Sequence, residues 1–185
     1  MLERRAVDLA EAGRGNQSRQ TFATRLSLPL ALILMNRTLH TLTLAHAPAA
    51  AALHVKCFPD PWSVKSFEEA FADPHVRARA LFLGDRLMAF ALTKEVAGEA
   101  DLLTIATDPS AQRQGFASQL IGTLITELEA GGAGRMTLEV AEDNHPARQL
   151  YVRFGFTEDG RRPRYYGAGR DVPVDAVLMS RHLGV

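Results

Sequence analysis

The chain is poor in cysteine: Cys57 is the only one in 185 residues, so no disulfide can form within it. No cluster of Cys and His has zinc-ligand spacing, which takes a structural zinc site out of the reading. Both absences fit a reducing cytoplasm. An excess of charge is also missing, because 21 Lys and Arg meet 21 Asp and Glu. A general nucleic-acid binder or a protein held on anionic membrane would carry a basic balance, and this chain has none. Long apolar runs are lacking as well. The longest, Leu26 to Met35, is ten residues and contains Pro29, whereas a span needs about 20. Behind the basic residues Arg4, Arg5, Arg14, Arg19 and Arg25 this run could serve as the apolar part of a secretory signal. The preferred reading is an N-terminal extension over residues 1–34, loosely attached or poorly ordered, ahead of one domain spanning 35–185.

What remains is ordinary globular material. Hydrophobic residues make up 46% and charged ones 23%, enough for one domain with a core and too little chain to expect two. The stretch Asp101 to Gly122 organises it: a strand to Thr107, an Asp108-Pro109 turn, then a loop with one glycine opening on a helix from Gln114 to Ala130. In Gln112-Arg113-Gln114-Gly115-Phe116-Ala117-Ser118 the glycine lets a ligand approach the main chain, the first helical N–H groups are free to meet an anion, and Arg113 adds charge. The loop has neither G-x-G-x-x-G spacing nor a G-K-[ST] ending, which argues against dinucleotide and P-loop sites.

Around it, Thr38 to Leu44 alternates like a strand, and Ala47 to Cys57 reads as a helix ended by Phe58-Pro59-Asp60-Pro61. Ser63 caps a second helix to about Phe71. Val76 to Leu83 and Arg86 to Val96 form a hairpin, and Gly131-Gly132 stop the long helix. Arg135 to Val140 is the next strand, and a crossover of that length implies a parallel pair. Asn144 starts a short helix ending at Gly155, and Phe156 to Arg164 with Val174 to Leu183 closes the sheet as an antiparallel pair.

Three passages in order, Gln112-x-x-Gly115-x-Ala117, Leu138-Glu139-Val140 and Asn144-x-x-Ala147-x-x-Leu150-Tyr151-x-x-x-Gly155-Phe156, resemble the Gcn5-related N-acetyltransferases. With Pro61-Trp62-Ser63 and Arg161-Arg162-x-x-Tyr165-Tyr166 they are similar to the branch that acetylates ribosomal-protein N-termini, over about Met35 to Leu183. The resemblance implies an α/β GNAT fold: a mixed sheet of six to seven strands, helices on both faces, and a parallel central pair that splays. It implies acetyl-coenzyme A as cosubstrate, with Ile105, Ala106 and Thr107 pairing to its pantetheine arm, the loop Gln112 to Ser118 on its pyrophosphate, and Asn144 and Tyr151 on the arm and thioester. Thr107 stands where the family usually has valine, and Pro163 departs from the asparagine common in the branch.

Acetyl transfer needs a base for the acceptor ammonium and an acid for the departing thiolate. Met136, Leu138 and Val140 share one strand face, leaving Glu139 on the other, where a carboxylate needs a reason. The resemblance makes it the general base; a salt bridge at a strand end is the plain alternative. Tyr151 shares a helix face with Asn144 and Ala147, and the resemblance makes it the general acid, against a plain core tyrosine. Trp62, Glu139, Arg161, Tyr165 and Tyr166, in a cluster with Arg162 and Arg164, are expected to line the acceptor groove, although Trp62 also suits a core anchor and the basic cluster a solvated hairpin. His145 is expected at the surface. The expected acceptor is a protein N-terminus, most simply an Ala-starting ribosomal protein. Lysine or small-amine acetylation is the near rival, and a non-catalytic acyl-coenzyme A sensor the distant one. A monomer is compatible with all of them.

Overall fold

The computed structural model describes residues 37–184, so the expected N-terminal extension lies outside the described residues. Seven strands are present among the described residues: β1 Arg37–Thr41, β2 Val76–Leu83, β3 Arg86–Val96, β4 Glu99–Thr107, β5 Arg135–Ala141, β6 Thr157–Tyr166 and β7 Val174–His182. Among the described residues four α-helices join them: α1 Ala47–Cys57, α2 Val64–Ala72, α3 Phe116–Ala130 and α4 His145–Arg153. The strands form one sheet in the order β1-β2-β3-β4-β5-β7-β6. This is the mixed α/β arrangement expected, with every pair antiparallel except β4 and β5.

The period-2 pattern of the strands divides the core in two. Leu102, Ile105, Met136, Leu138 and Val140 face α3 and α4, meeting Phe116, Leu120, Ile121, Leu124 and Leu128 from α3 and Leu150 and Tyr151 from α4. Ala78, Ala80, Phe90, Leu92 and Ala106 face α1 and α2, meeting Ala50, Leu53, Cys57, Phe67 and Ala70. Each fully buried Leu, Ile or Phe contributes roughly 1.5–3 kcal/mol, so both faces must be covered for the sheet to hold.

Helix boundaries follow local chemistry. The Ser63 hydroxyl accepts the Ser66 N–H at 3.1 Å, and Asn144 Oδ1 accepts the Ala147 N–H at 3.2 Å. At the end of α3, Gly132 takes a φ of 83°, and the Ala133 N–H donates to the Leu128 carbonyl at 3.0 Å, the paired closure a glycine permits. The expected strand from Thr38 to Leu44 is shorter, because β1 ends at Thr41 and a 3-10 turn, Leu44–His46, follows. The Thr43 N–H donates to His46 Nδ1 at 3.0 Å and holds that turn.

One break in the sheet positions everything else. The parallel ladder of β4 and β5 consists of Glu99 with Arg135, Ala100 with Met136, and Asp101 with Thr137. Beyond it the strands part, β4 running on to Thr107 against β3 and β5 to Ala141 against β7. A bulge deepens the parting: Thr93 pairs with Leu102 and Leu92 with Thr104, so Leu103 is an extra residue in β4 and bends it.

Candidate active site

On the α3–α4 side the parted strands open into a cleft of about 580 Å³. Thr107, Ala111, Gln112, Arg113, Gly115, Phe116, Ala117 and Ser118 line one wall; Pro146, Gln149, Leu150 and Arg153 of α4 line the other. No acidic side chain is among these lining residues, while Arg113 and Arg153 both are. Arg113 and Gly115 take φ values of 61° and 84°, which turns successive main-chain N–H groups inward. Gly115 is the N-cap of α3 and no side chain caps that end, leaving the first amides open to an anion. The loop is braced from behind: Arg37 donates to the Gln114 carbonyl at 2.6 Å and lies 3.7 Å over the Phe116 ring.

The strand end that feeds the loop is fixed by charge. Asp108 accepts the Ser110 hydroxyl at 2.6 Å, the Ser110 N–H at 3.0 Å and Lys56 Nζ at 3.0 Å. Burial works to raise the Asp108 carboxyl, but Ser110 and Lys56 outweigh it and hold it down at about 2. Cys57 Sγ donates to the Thr107 carbonyl at 3.3 Å. Its thiol is pushed up to about 11, first by burial, so it is an inert packing group.

Tyr151 follows the cleft-lining Leu150 on α4 and packs in the core on the same side of the sheet. It is fully buried, and its hydroxyl meets no hydrogen-bond partner among the described residues. Burial, and then the nearby Tyr166 phenol, push it well above the usual tyrosine value, so it keeps its proton. A buried donor without an acceptor is costly, and a bound ligand could supply the acceptor.

The opposite sheet face holds a second cavity, about 290 Å³, lined by Asp101, Leu103, Arg135, Thr137, Glu139 and Leu178 among others. Glu139 is 13% exposed and accepts Arg162 Nη1 at 3.1 Å; Arg162 is half exposed and lies 5.1 Å over the Tyr165 ring. Two loops meet above this face. A Cβ on Gly169, whose φ is 70°, would lie 2.8 Å from Pro59 Cβ, so the β6–β7 loop touches the α1–α2 loop there. Arg170 holds the first loop down by pairing with both Asp143 oxygens, at 3.0 and 3.1 Å.

The expected residues therefore separate into groups. Gln112, Arg113, Gly115, Phe116, Ala117, Ser118 and Thr107 share the first cleft, and Glu139 lines the second cavity. Ile105 and Ala106 are buried in β4 with their side chains in opposite cores. The Gln114 side chain bonds the Ser110 carbonyl at 3.0 Å, bracing the loop from within. Trp62 is partly buried against the second core, with its ring 5.2 Å from Phe67. Arg161 pairs with Glu142 and Glu158, so the arginine that reaches Glu139 is Arg162. Tyr165 and Tyr166 contact each other edge to face at 5.1 Å. His145 is exposed as expected. Pro146, Gln149 and Arg153 were not anticipated; their three- and four-residue spacing puts them on one helix face, a signal the sequence did carry.

Comparison with known proteins agrees with this geometry. Residues 47–156 match the Acetyltransferase (GNAT) family. The chain is 36% identical over 143 residues to the ribosomal protein bS18-alanine N-acetyltransferase of Salmonella typhimurium, covering 77% of this chain and 95% of that one. The crystal structure of the ribosomal-protein-S18-alanine N-acetyltransferase from Escherichia coli superposes with a TM-score of 0.77 at 34% identity, over 80% of this chain and 95% of the other. Arabidopsis thaliana NAA60 in complex with acetyl-CoA shares the fold at 17% identity and a TM-score of 0.70, over 79% and 98%. Half-enclosed, anion-seeking and split from sheet to surface, the first cleft suits the cosubstrate this family uses, and the chain belongs to the GNAT family as an acetyl-CoA-dependent N-acetyltransferase.

Proposed function

We propose that this enzyme acetylates the N-terminal α-amine of a protein, an Ala-starting ribosomal protein of the bS18 kind, in the cytoplasm where such acceptors are made. The observation that carries the proposal is the pairing across the β4–β5 opening. Tyr151, whose buried hydroxyl has no partner among the described residues, packs in the core on the α3–α4 side, and the Glu139 carboxylate lines the cavity on the other face. Support for the acceptor comes from the relatives, which bear that activity in their names at 36% identity.

Acetyl-CoA brings an activated thioester; the chain's residues hold and move protons around it. Arg113, the N–H groups at the start of α3 and Arg153 hold the phosphates, and Asn144, the cap of α4, and the parted edge of β4 guide the arm inward. The acceptor ammonium gives one proton to Glu139, and its nitrogen then bonds to the carbonyl carbon. Tyr151 protonates the sulfur as the carbon–sulfur bond breaks, and the second proton shed by nitrogen restores the phenol. The products are an amide, a free thiol and one proton, which Glu139 passes to solvent. An α-amine, with a pKa of about 7.7–8.0, needs only this weak base, whereas a lysine near 10.4 demands more. The Pro59–Gly169 contact and the Arg170–Asp143 clamp narrow the approach over this face, which favours a slender chain end.

The test is mass spectrometry after incubation with acetyl-CoA and a panel of Ala-starting ribosomal peptides, N-terminally blocked lysine peptides and polyamines. A single acetyl on the α-amine is expected, slowed by about 10²-fold or more in Glu139→Gln. Acetylation confined to lysine or polyamine would overturn the acceptor, and full activity in the variant would overturn the base.

A further inference from the structure

Between the two loops and the parted strand lies a histidine that the transfer reaction does not use. His54, on α1, is 2% exposed. Its ring stacks on Phe58 at 3.9 Å and 13°, with Phe67 edge-on at 5.5 Å, Phe90 at 6.3 Å and Trp62 at 5.9 Å. Both nitrogens are engaged. The Trp62 backbone N–H points at Nδ1 at 3.1 Å, and Nε2 lies 3.2 Å from Thr104 Oγ1. Because Nδ1 must accept, the single proton of the neutral ring is on Nε2, which donates to Thr104. Burial depresses the ring's pKa, so it stays neutral and keeps this arrangement.

The two partners belong to different parts of the acceptor side. Trp62 ends the Phe58-Pro59-Asp60-Pro61 passage, whose two prolines supply no N–H, and the same passage carries the Pro59 contact to Gly169. Thr104 follows Leu103, the bulged residue that lines the acceptor-side cavity just beyond the last β4–β5 pair. A plain core histidine would need one satisfied nitrogen and an apolar bed. This one ties a proline-rigid loop to the strand at the point where the strand leaves its neighbour.

We propose that His54 is a positioning residue for the acceptor: a tautomer-fixed clamp that sets the distance between the Trp62 loop and the bulged edge of β4, and so the width of the acceptor groove. This rests on Trp62 and Glu139 facing the acceptor. Thr104 and Trp62 supply one bond each, so the two halves are separable by substitution. His54→Asn keeps an acceptor near the Nδ1 position for the Trp62 N–H. His54→Gln keeps a donor near the Nε2 position for Thr104. His54→Phe keeps the stack and removes both.

The experiment measures steady-state constants for the acceptor peptide and for acetyl-CoA in the three variants, together with acrylamide quenching of Trp62, the only tryptophan in the chain. His54→Phe is expected to raise the acceptor KM about tenfold, with kcat and the acetyl-CoA KM within about twofold of the parent and quenching increased. His54→Asn is expected to restore most of the loss. An unchanged acceptor KM and unchanged quenching in His54→Phe overturn the clamp, as does an equal rise in the acetyl-CoA KM, which marks a general packing defect. If the peptide panel identifies no acceptor, the quenching comparison still decides the clamp independently. If His54→Phe fails to fold, ring ¹⁵N NMR of the parent decides: an Nε2–H tautomer with Nδ1 accepting supports the clamp, and an Nδ1–H or charged ring overturns it.

Discussion

Tyr151→Phe should make this protein more stable and much less active. In the folded chain the phenol is fully buried and its hydroxyl has no partner among the described residues. A hydroxyl taken out of water without a partner costs about 1–3 kcal/mol, and removing it recovers part of that cost while the ring keeps its packing on Phe156, 5.8 Å away. A gain of about 1 kcal/mol is expected in the ligand-free protein, or roughly 2–4 °C in Tm for a chain of this size. Turnover moves the other way if Tyr151 is the proposed general acid, because the lost proton would be the one for the leaving thiolate, and a fall of about 10²–10⁴ in kcat is expected. The assay pairs urea and thermal unfolding without ligand with thiol release under saturating acetyl-CoA. A loss of about 1 kcal/mol or more in stability would refute the reasoning about the unpartnered hydroxyl, since it would mean a bound water satisfies it. Unchanged kcat would remove Tyr151 from the chemistry whatever the stability shows.

Two further outcomes follow from the groups that fix the strand end and the loops around the site. Asp108→Asn should destabilise the protein by about 2 kcal/mol near neutral pH, because the folded carboxyl sits at about 2 against an unfolded value of about 3.9. A depressed carboxyl stabilises above its unfolded value, so the difference between parent and variant should shrink as pH falls from about 4 toward 2; urea unfolding at pH 7 and pH 3 checks it. Gly169→Ala places a side chain at a φ of 70° with its Cβ 2.8 Å from Pro59 Cβ, which costs about 1–2 kcal/mol in backbone strain alone. The β6–β7 loop should lift off the α1–α2 loop, raising the acceptor KM several-fold and leaving the acetyl-CoA KM unchanged in the same kinetic assay.

Much of the fold was legible because its signals are local. Alternation in Arg135–Ala141 assigns Glu139 to the face opposite Met136, Leu138 and Val140, and Asp108-Pro109 and Gly131-Gly132 mark where β4 and α3 stop. Where local signals were ambiguous the boundary moved: α3 begins at Phe116 rather than Gln114, because its cap is a left-handed glycine that offers no side-chain cue. Partnerships across the chain were not legible. Among Arg161, Arg162 and Arg164, only the register of β6 decides which one faces Glu139. That register shifts between Arg162 and Tyr166, around Pro163 and the left-handed Arg164. The Arg37 brace on Gln114 spans 77 positions, and no periodicity connects its ends.

The break between β4 and β5 is where the sheet gives up its main-chain pairing. A parallel pair that stayed zipped would satisfy its own amides and leave no route from the α3–α4 side of the sheet to the other. The β4–β5 ladder stops after Asp101 and Thr137, and the buried Thr107 and Tyr151 hydroxyls have no partners among the described residues. Each is a cost to folding, and under the proposed mechanism a bound thioester arm would offset it. The rest of the chain concentrates rigidity around that opening: Asp108 with Lys56 and Ser110, Cys57 on Thr107, Arg37 behind the loop, and His54 between Thr104 and Trp62. Rigid walls keep the parted strands from collapsing onto each other. A site arranged this way should bind acetyl-CoA with little change in backbone structure, because the reorganisation has already been completed on folding.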